Sequence, residues 1–505
     1  MTNPTSPARF GCREDLGDGL SFISAKNFVR ATRDTGYRST AAALGELVDN
    51  SLQARATQIR VSIGDSLIPD WPGLSISVLD NGCGMNAATL QAAIQFGGTT
   101  RFDDRVGLGR YGMGLPNSSV SQSRRVEVYS WQTPGRCLHS YLDLDEVTSG
   151  LLTGIPRPRT AKLPSWAQVN AGTSGTLVIW SHCDRLADRR ASTTASKLRV
   201  ALGRMYRRAL WRRTEILLND ELLQAVDPLF CHPMSTVGGA REYCSPLSYE
   251  IEPIDGGRTA TVLVRFTELP IGKWHSKTPE TKRRLGIVGG AGVSILRGER
   301  EIDYGWHLMG NKRKEHYDDW WRCEISFSPA LDELFGVTHS KQGIKPTDEL
   351  RSILCPDIES IARVLNSRAR RAFARARASM PSKAVTVANR QECFLPSFKR
   401  QGRSRKAGDR LTYRITVGPL PTRRFFDQSC RAGVVTVRIN RDHPFFGRLF
   451  APIEPNDLSS SQFKLETLVL AAARAVLKAG RKEEQRWLER FLNDWSDALA
   501  TFIKG

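Results

Sequence analysis

What the 505-residue sequence lacks narrows its identity first. No run of eighteen apolar residues occurs, and the opening "MTNPTSPARFGCREDL" has no apolar segment of signal-peptide kind. Membrane spanning and secretion are therefore not expected, and a cytoplasmic setting is. The ten cysteines lie scattered without a C-x-x-C pair. Only Cys231-His232 and His182-Cys183 set thiol beside imidazole. Adjacent side chains point in different directions, so structural zinc is not expected and the thiols read as reduced. No internal repeat is visible, and no G-K-[ST] follows any glycine-rich stretch, which excludes a Walker phosphate loop.

Acid is scarce relative to base. Lys+Arg number 73 against 52 Asp+Glu, a net charge of +21. The excess clusters in "RLADRRASTTASKLRVALGRMYRRALWRR" (185–213), "NSRARRAFARARA" (366–378) and "KRQGRSRKAGDR" (399–410). Such clusters suit a polyanion, because neutralising phosphates releases counterions. Non-specific double-stranded DNA is the expected partner, since no base-reading motif is present; a solvated basic face on long helices is the alternative.

The length calls for two to four domains. From about 25 to 225 the pattern alternates: helix 39–55, strands near 58–63 and 74–80, a glycine-rich segment 97–114, then strands 125–131 and 176–181. Further strands follow in "LSYEIEP", "TATVLVRF", "AGVSILRGERE" and "WWRCEISF", and then a long basic helix at 348–379. Residues 381–411 have few large apolar side chains and read as a linker. Strands "LTYRITVG" and "GVVTVRIN" open a last region, which two helices close. In the final helix Trp487, Leu488, Phe491, Leu492, Trp495, Leu499 and Phe502 form one stripe, expected to dock on its own domain ahead of serving as a dimer seam.

Four short phrases carry chemistry. In "ALGELVDNSLQA" (43–54), Leu44, Leu47, Val48 and Ser51 share a helix face, yet Glu46, Asp49 and Asn50 interrupt the run. About thirty residues on, "VLDNGCGM" (78–85) ends an apolar strand in Asp80, followed by Gly82 and Gly84. Then comes "VGLGRYGMGLPNSS" (106–119), with Gly107, Gly109, Gly112 and Gly114. Finally "GTSGTLVIW" (172–180) places Gly175-Thr176 at a strand start. Each is weak alone; the four in this order are not.

Together they resemble the Bergerat-fold GHKL ATPases (DNA gyrase B, the ninety-kilodalton heat-shock chaperone, histidine kinases and MutL), and most of all the microrchidia (MORC) branch in a prokaryotic form. The resemblance covers residues 40–180 and thins to about 345. It implies an α+β chain: an N-terminal strap (1–24), a Bergerat-fold ATPase α/β sandwich (25–240), a transducer-like α/β domain of the ribosomal small-subunit protein five type (241–380), a basic linker (381–411) and a small C-terminal α+β region (412–505). ATP and Mg²⁺ are the implied cofactors.

The residues agree with these roles. Glu46 and Asn50, four apart, project from one side of the helix. Glu46 is placed to take a proton from the attacking water. Asn50 offers a neutral oxygen to Mg²⁺, with Asp49 in support. Asp80, an acceptor, suits the exocyclic amine of adenine. Gly82 and Gly84 allow close approach of backbone, Met85 packs on the ring, and Thr176 joins the adenine network. The lid, 97–114, wraps phosphates through backbone N–H groups at Gly109, Arg110, Tyr111, Gly112, Met113 and Gly114, glycine permitting the angles a concave nest needs. Microrchidia proteins commonly carry a lysine after the lid glycines; Pro116 stands here, removing one phosphate contact. In "FGVTHSKQGIKP" (335–346), Lys341 resembles the transducer lysine that reaches the γ-phosphate, with Gln342 beside it and Lys345 as the alternative.

The resemblance implies a slow ATPase whose output is shape: an ATP-dependent homodimer closing on DNA, with an operon-encoded protein partner, in prokaryotic defence. A chaperone for protein clients and a nucleotide-gated scaffold with little turnover are the rivals. A sensor kinase would need a histidine-bearing helix ahead of the ATP domain, and the first histidine is His139. A MutL-like nuclease would need an acidic and histidine cluster, for which Asp442-His443 is a lone hint that reads as structural.

Overall fold

The alternating helical and strand-like stretches of the early sequence build a sheet on which helix "ALGELVDNSLQA" packs. The computed structural model describes residues 24–65, 73–98, 112–235, 237–337, 341, 343–379, 382–396, 410–450, 461–479 and 481–503. The first sheet is built from β1 (Gln58–Asp65), β2 (Leu74–Asp80), β3 (Arg125–Trp131), β4 (Leu138–Asp143), β5 (Arg159–Thr160), β6 (Gly175–Ser181), β7 (Glu215–Leu218) and β8 (Glu221–Leu222), in the order β5-β4-β3-β6-β2-β1-β7-β8. All neighbours run antiparallel except β1 and β7.

Helices α1 (Ala25–Asp34), α2 (Thr40–Gln53), α3 (Ala87–Ile94) and α4 (Gly114–Gln122) belong with this sheet. Ser39 starts α2 by accepting from the Ala42 N–H at 3.2 Å, which satisfies a first-turn donor. Leu44, Leu47 and Val48 then pack on Ile59, Val61, Ile76 and Val78. Each such side chain contributes on the order of 1.5–3 kcal/mol when fully buried.

A second sheet follows in the same compact unit, residues 1–371. It comprises β9 (Arg241–Glu242), β10 (Leu247–Ile251), β11 (Ala260–Glu268), β12 (Val293–Arg297), β13 (Arg300–Gly305) and β14 (Trp321–Phe327), ordered β10-β11-β14-β12-β13 with β9 beside β11. "AGVSILRGERE", expected as one strand, is a hairpin: Gly298 takes a φ of 61° and the chain returns as β13. On one face Val293, Ile295, Cys323 and Ile325 pack against Leu350, Leu354, Ile358 and Leu365 of the long helix Asp348–Ser379. Alternation sends Ser294 and Glu324 to the other face. A bulge between Ile295 and Leu296 brings Glu301 there too. Arg207, buried to 1 % exposure at the start of helix Arg207–Trp211, meets all three: Glu301 at 2.8 Å, Glu324 at 2.6 Å and Ser294 at 2.9 Å. This desolvated guanidinium helps fasten the second sheet to the first.

Residues 372–505 form the other unit. Here β15 (Thr412–Gly418), β16 (Phe426–Arg431) and β17 (Val434–Asn440) make a sheet ordered β15-β17-β16. The hairpin β16–β17, whose first strand went unanticipated, turns at Ala432-Gly433, both at positive φ. Part of the expected linker is structured: Lys383–Gln391 is a helix capped by Ser382, its Ala384 and Val385 buried. Small apolar residues supply the contact that a count of large ones overlooks. In the last helix, Lys482–Phe502, Leu492, Trp495 and Leu499 pack on this unit's core, while Trp487, Phe491 and Phe502 are exposed. The expected docking stripe is only half covered.

Candidate active site

The C-terminal end of β2 delivers Asp80 into a buried pocket of donors. Ser51, on α2, donates its hydroxyl to Asp80 Oδ2 at 2.8 Å, and the Gly82 N–H donates to Oδ1 at 2.9 Å. Thr176 sits opposite Asp80 in the β2–β6 ladder, with its hydroxyl 3.0 Å from that of Ser130. Ser130 Oγ in turn accepts from the Met85 N–H at 2.8 Å. Burial pushes the Asp80 carboxyl up, against the pull of the Gly82, Ser51 and Thr176 hydrogen bonds. The glycines have reasons within the chain itself. Gly84 has a φ of 64° and a Cβ there would strike the Trp131 carbonyl, while a Cβ at Gly82 would lie 2.7 Å from that of Ala54.

One turn earlier on α2, a second cluster is assembled from both sheets. Glu46 and Asp49 are 3 % and 1 % exposed. Lys341 Nζ donates to Glu46 Oε2 and to Asp49 Oδ2, each at 3.0 Å. Arg300, the first residue of β13, donates through Nη1 to Glu46 Oε1 at 3.3 Å and pairs closely with Asp49. Tyr206 Oη lies 2.8 Å from Asp49 Oδ1 and 2.6 Å from the Gly45 carbonyl oxygen. Two carboxylates thus face two cations, all desolvated, which is tolerable only because they compensate. Burial works to raise the Asp49 carboxyl, but Arg300 and Lys341 outweigh it and hold it below the usual range. Burial and the nearby carboxylates of Glu46 and Asp49 push the Tyr37 hydroxyl well up.

The lid side abuts this cluster. Gly112 has a φ of 61°, and α4 begins at Gly114, where a Cβ would stand 2.7 Å from Glu46 Oε2. Pro116 falls in the first turn of α4, where a backbone N–H has no intrahelical acceptor, so proline sacrifices no helix bond. Gly107, Gly109, Arg110 and Tyr111 of the expected lid, Gln342, and most of the N-terminal strap lie outside the described residues. Lys345 hydrogen-bonds through its backbone N–H to the Phe335 carbonyl, and it is Lys341 whose side chain enters the site.

Polar capacity remains open at the cluster. Tyr37 Oη is buried without a hydrogen-bond partner among the described residues. The half-buried Asn50 side chain makes no hydrogen bond to another described residue. A buried hydroxyl and an amide oxygen beside a glycine-lined helix start fit a phosphate-bearing ligand with its hydrated cation.

Four participants went unread in the sequence: Arg300, Tyr206, Tyr37 and Ser51 as a carboxylate donor. Gly45 was the available signal for Arg300. Glycine within a helix costs about 0.5–1 kcal/mol relative to alanine, and here a Cβ would lie 2.7 Å from Arg300 Nη2. The basic run 185–213 also changes meaning. Arg204 and Arg207 pair with Glu301, Arg208 with Glu324, Arg212 with Glu299, Arg199 with Glu221 and Lys197 with Asp188. Arg204, Arg207 and Arg208 spend their charge on buried carboxylates, while the other three pairs lie at the surface. His443 is likewise internal: its Nδ1 accepts from the Phe445 N–H and its Nε2 lies 3.0 Å from the Ser496 carbonyl.

Comparison with known families bears on this geometry. A family model described as histidine kinase-, DNA gyrase B-, and HSP90-like ATPase matches residues 37–176. This stretch is a GHKL-type ATPase domain. It runs from Tyr37 through α2, β2 and α4 to Thr176, so it spans both halves of the pocket contributed by the first sheet. Arg300, Tyr206 and Lys341 lie beyond it. A domain of this class binds ATP, and ATP hydrolysis is the activity it implies. No curated protein matches the chain. Among the described residues no helix is long and apolar enough to cross a membrane.

Proposed function

We propose that the chain is a Mg²⁺-dependent ATPase of the GHKL class, of microrchidia-like type, whose hydrolysis is governed by the second sheet domain acting as a transducer. Glu46 takes the proton of the attacking water as the γ-phosphorus–oxygen bond to ADP breaks, releasing ADP and inorganic phosphate. Asp80 accepts from the adenine amine, with Thr176, Gly82, Gly84 and Met85 around the base. Gly107, Gly109, Arg110, Tyr111, Gly112, Met113 and Gly114 form the lid. Magnesium, when bound, neutralises phosphate charge, with Asn50 offering its amide oxygen and Asp49 supporting it.

The observation that carries this reading is Lys341, which arrives from beyond the second sheet and lands on Glu46 and Asp49. A cation held by the base before the nucleotide arrives is available to the γ-phosphate afterwards, so the site reports on interdomain geometry.

The polymer acted on is double-stranded DNA, held without sequence preference by an ATP-dependent homodimer, as in a defence system against foreign DNA. In support stand the charge of +21 and the exposed Arg371 and Arg375 of the long helix. A second reading, an ATPase working on a protein partner, draws on the exposed Trp487, Phe491 and Phe502. ATP turnover by wild type and by Asn50→Ala, with and without duplex DNA at low and high salt, separates these. Stimulation by DNA that salt abolishes supports the clamp, and turnover indifferent to DNA supports the protein partner. An Asn50→Ala variant as active as wild type at limiting Mg²⁺ would remove the metal role.

A further inference from the structure

The two oxygens of Glu46 are divided between two cations, and that division is asymmetric. Arg300 holds Oε1 and Lys341 holds Oε2. Gly114, at the start of α4, packs toward Oε2 as well. We infer that Arg300 is a positioning residue for hydrolysis: it keeps Oε1 engaged when Lys341 leaves for the phosphate, so that Oε2, on the lid side, takes the proton from water. The inference rests on the reading of Glu46 as the base and adds a residue outside the matched ATPase domain.

Three features make Arg300 the fixed cation. It lies on a strand paired to β12, and it is 3 % exposed. Its Nη1 serves both Glu46 and Asp49, while Tyr206 secures the other oxygen of Asp49. Its Nη2 passes over α2 where Gly45 leaves room. The next residue, Glu301, is anchored by Arg204 and Arg207, so the strand that carries Arg300 is held on both sides. Lys341 has no comparable frame. It sits at a φ of 47° outside any helix or strand. A base whose carboxylate can rotate loses alignment with its water, and a misplacement of about 1 Å can cost on the order of 100-fold in rate.

The test compares wild type, Glu46→Ala, Arg300→Ala and Arg300→Lys for steady-state turnover and for ATP binding. The hydrogen bonds of Arg300 go to the Glu46 and Asp49 carboxylates, so Arg300→Ala should lose about 10- to 100-fold in kcat with ATP affinity within about twofold of wild type. Millimolar guanidinium should restore part of that loss, a rescue that no purely structural role provides. If Arg300→Ala does not fold, Arg300→Lys keeps the charge without the planar fork and should show the same split with a smaller loss. Normal kcat in either variant, while Glu46→Ala is inactive, overturns the role of Arg300 alone. Normal turnover in Glu46→Ala overturns the reading beneath it.

Discussion

The two ends of the pocket were built differently. The Asp80 end is made within the first sheet: Asp80, Ser51 and Thr176 come from β2, α2 and β6, and Gly82 from the turn just after β2. The Glu46 end is made between sheets, with Arg300 reaching a residue 254 positions earlier and Lys341 one 295 positions earlier. The first is complete without the second sheet, and the second exists only while both sheets are docked. On the proposed reading, nucleotide binding and hydrolysis would then be separable, with the second sheet bearing on the latter.

The largest effect should come from unfastening the sheets. Arg207→Ala removes the buried cation between Glu301 and Glu324 and leaves them to the less buried Arg204 and Arg208, which costs up to about 3–5 kcal/mol; thermal or urea unfolding would measure it. Below its melting temperature the variant should still bind ATP, and a loss of binding equal to the loss of turnover would erase the distinction between the ends. Next, Asp80→Asn should weaken ATP by about 1.5–3 kcal/mol while narrowing the preference for ATP over GTP, measured by titration calorimetry. Equal losses for both nucleotides would place Asp80 away from the base.

The Asp49 carboxyl gives a pH signature. Its folded value is held below the unfolded one, so its contribution to stability is present above the unfolded pKa, about 3.9, and is lost as pH falls through the folded value. Asp49→Asn should accordingly be less stable than wild type at pH 7, with the gap in melting temperature closing as the pH drops below about 4. A constant gap would show that Arg300 and Lys341 do not favour the charged form. The smallest effect belongs to Ser51→Ala, about 1 kcal/mol in ATP affinity, with kcat unchanged.

The same contrast explains what could be read in advance. Strands β1, β2, β3 and β6 and helix α2 lie where periodicity puts them, because each buries an apolar face on the first sheet. Glu46, Asp49 and Asp80 were visible as polar residues inside apolar runs. Arg300 was not, since nothing near "LRGERE" distinguishes a guanidinium aimed at a distant helix from one in solvent. Tyr206 was hidden in a basic run whose arginines turn out to face Glu301 and Glu324. Charge counted along the chain cannot show which residues find partners across sheets. The helix Lys383–Gln391 escaped for a related reason, its burial depending on alanine and valine meeting a core made elsewhere in the sequence.

The most direct test of the account is single-turnover hydrolysis of Mg·ATP by Glu46→Ala, with nucleotide binding measured on the same sample. The account predicts ATP bound with near wild-type affinity and cleaved at least about 100-fold more slowly. Cleavage at the wild-type rate would contradict it.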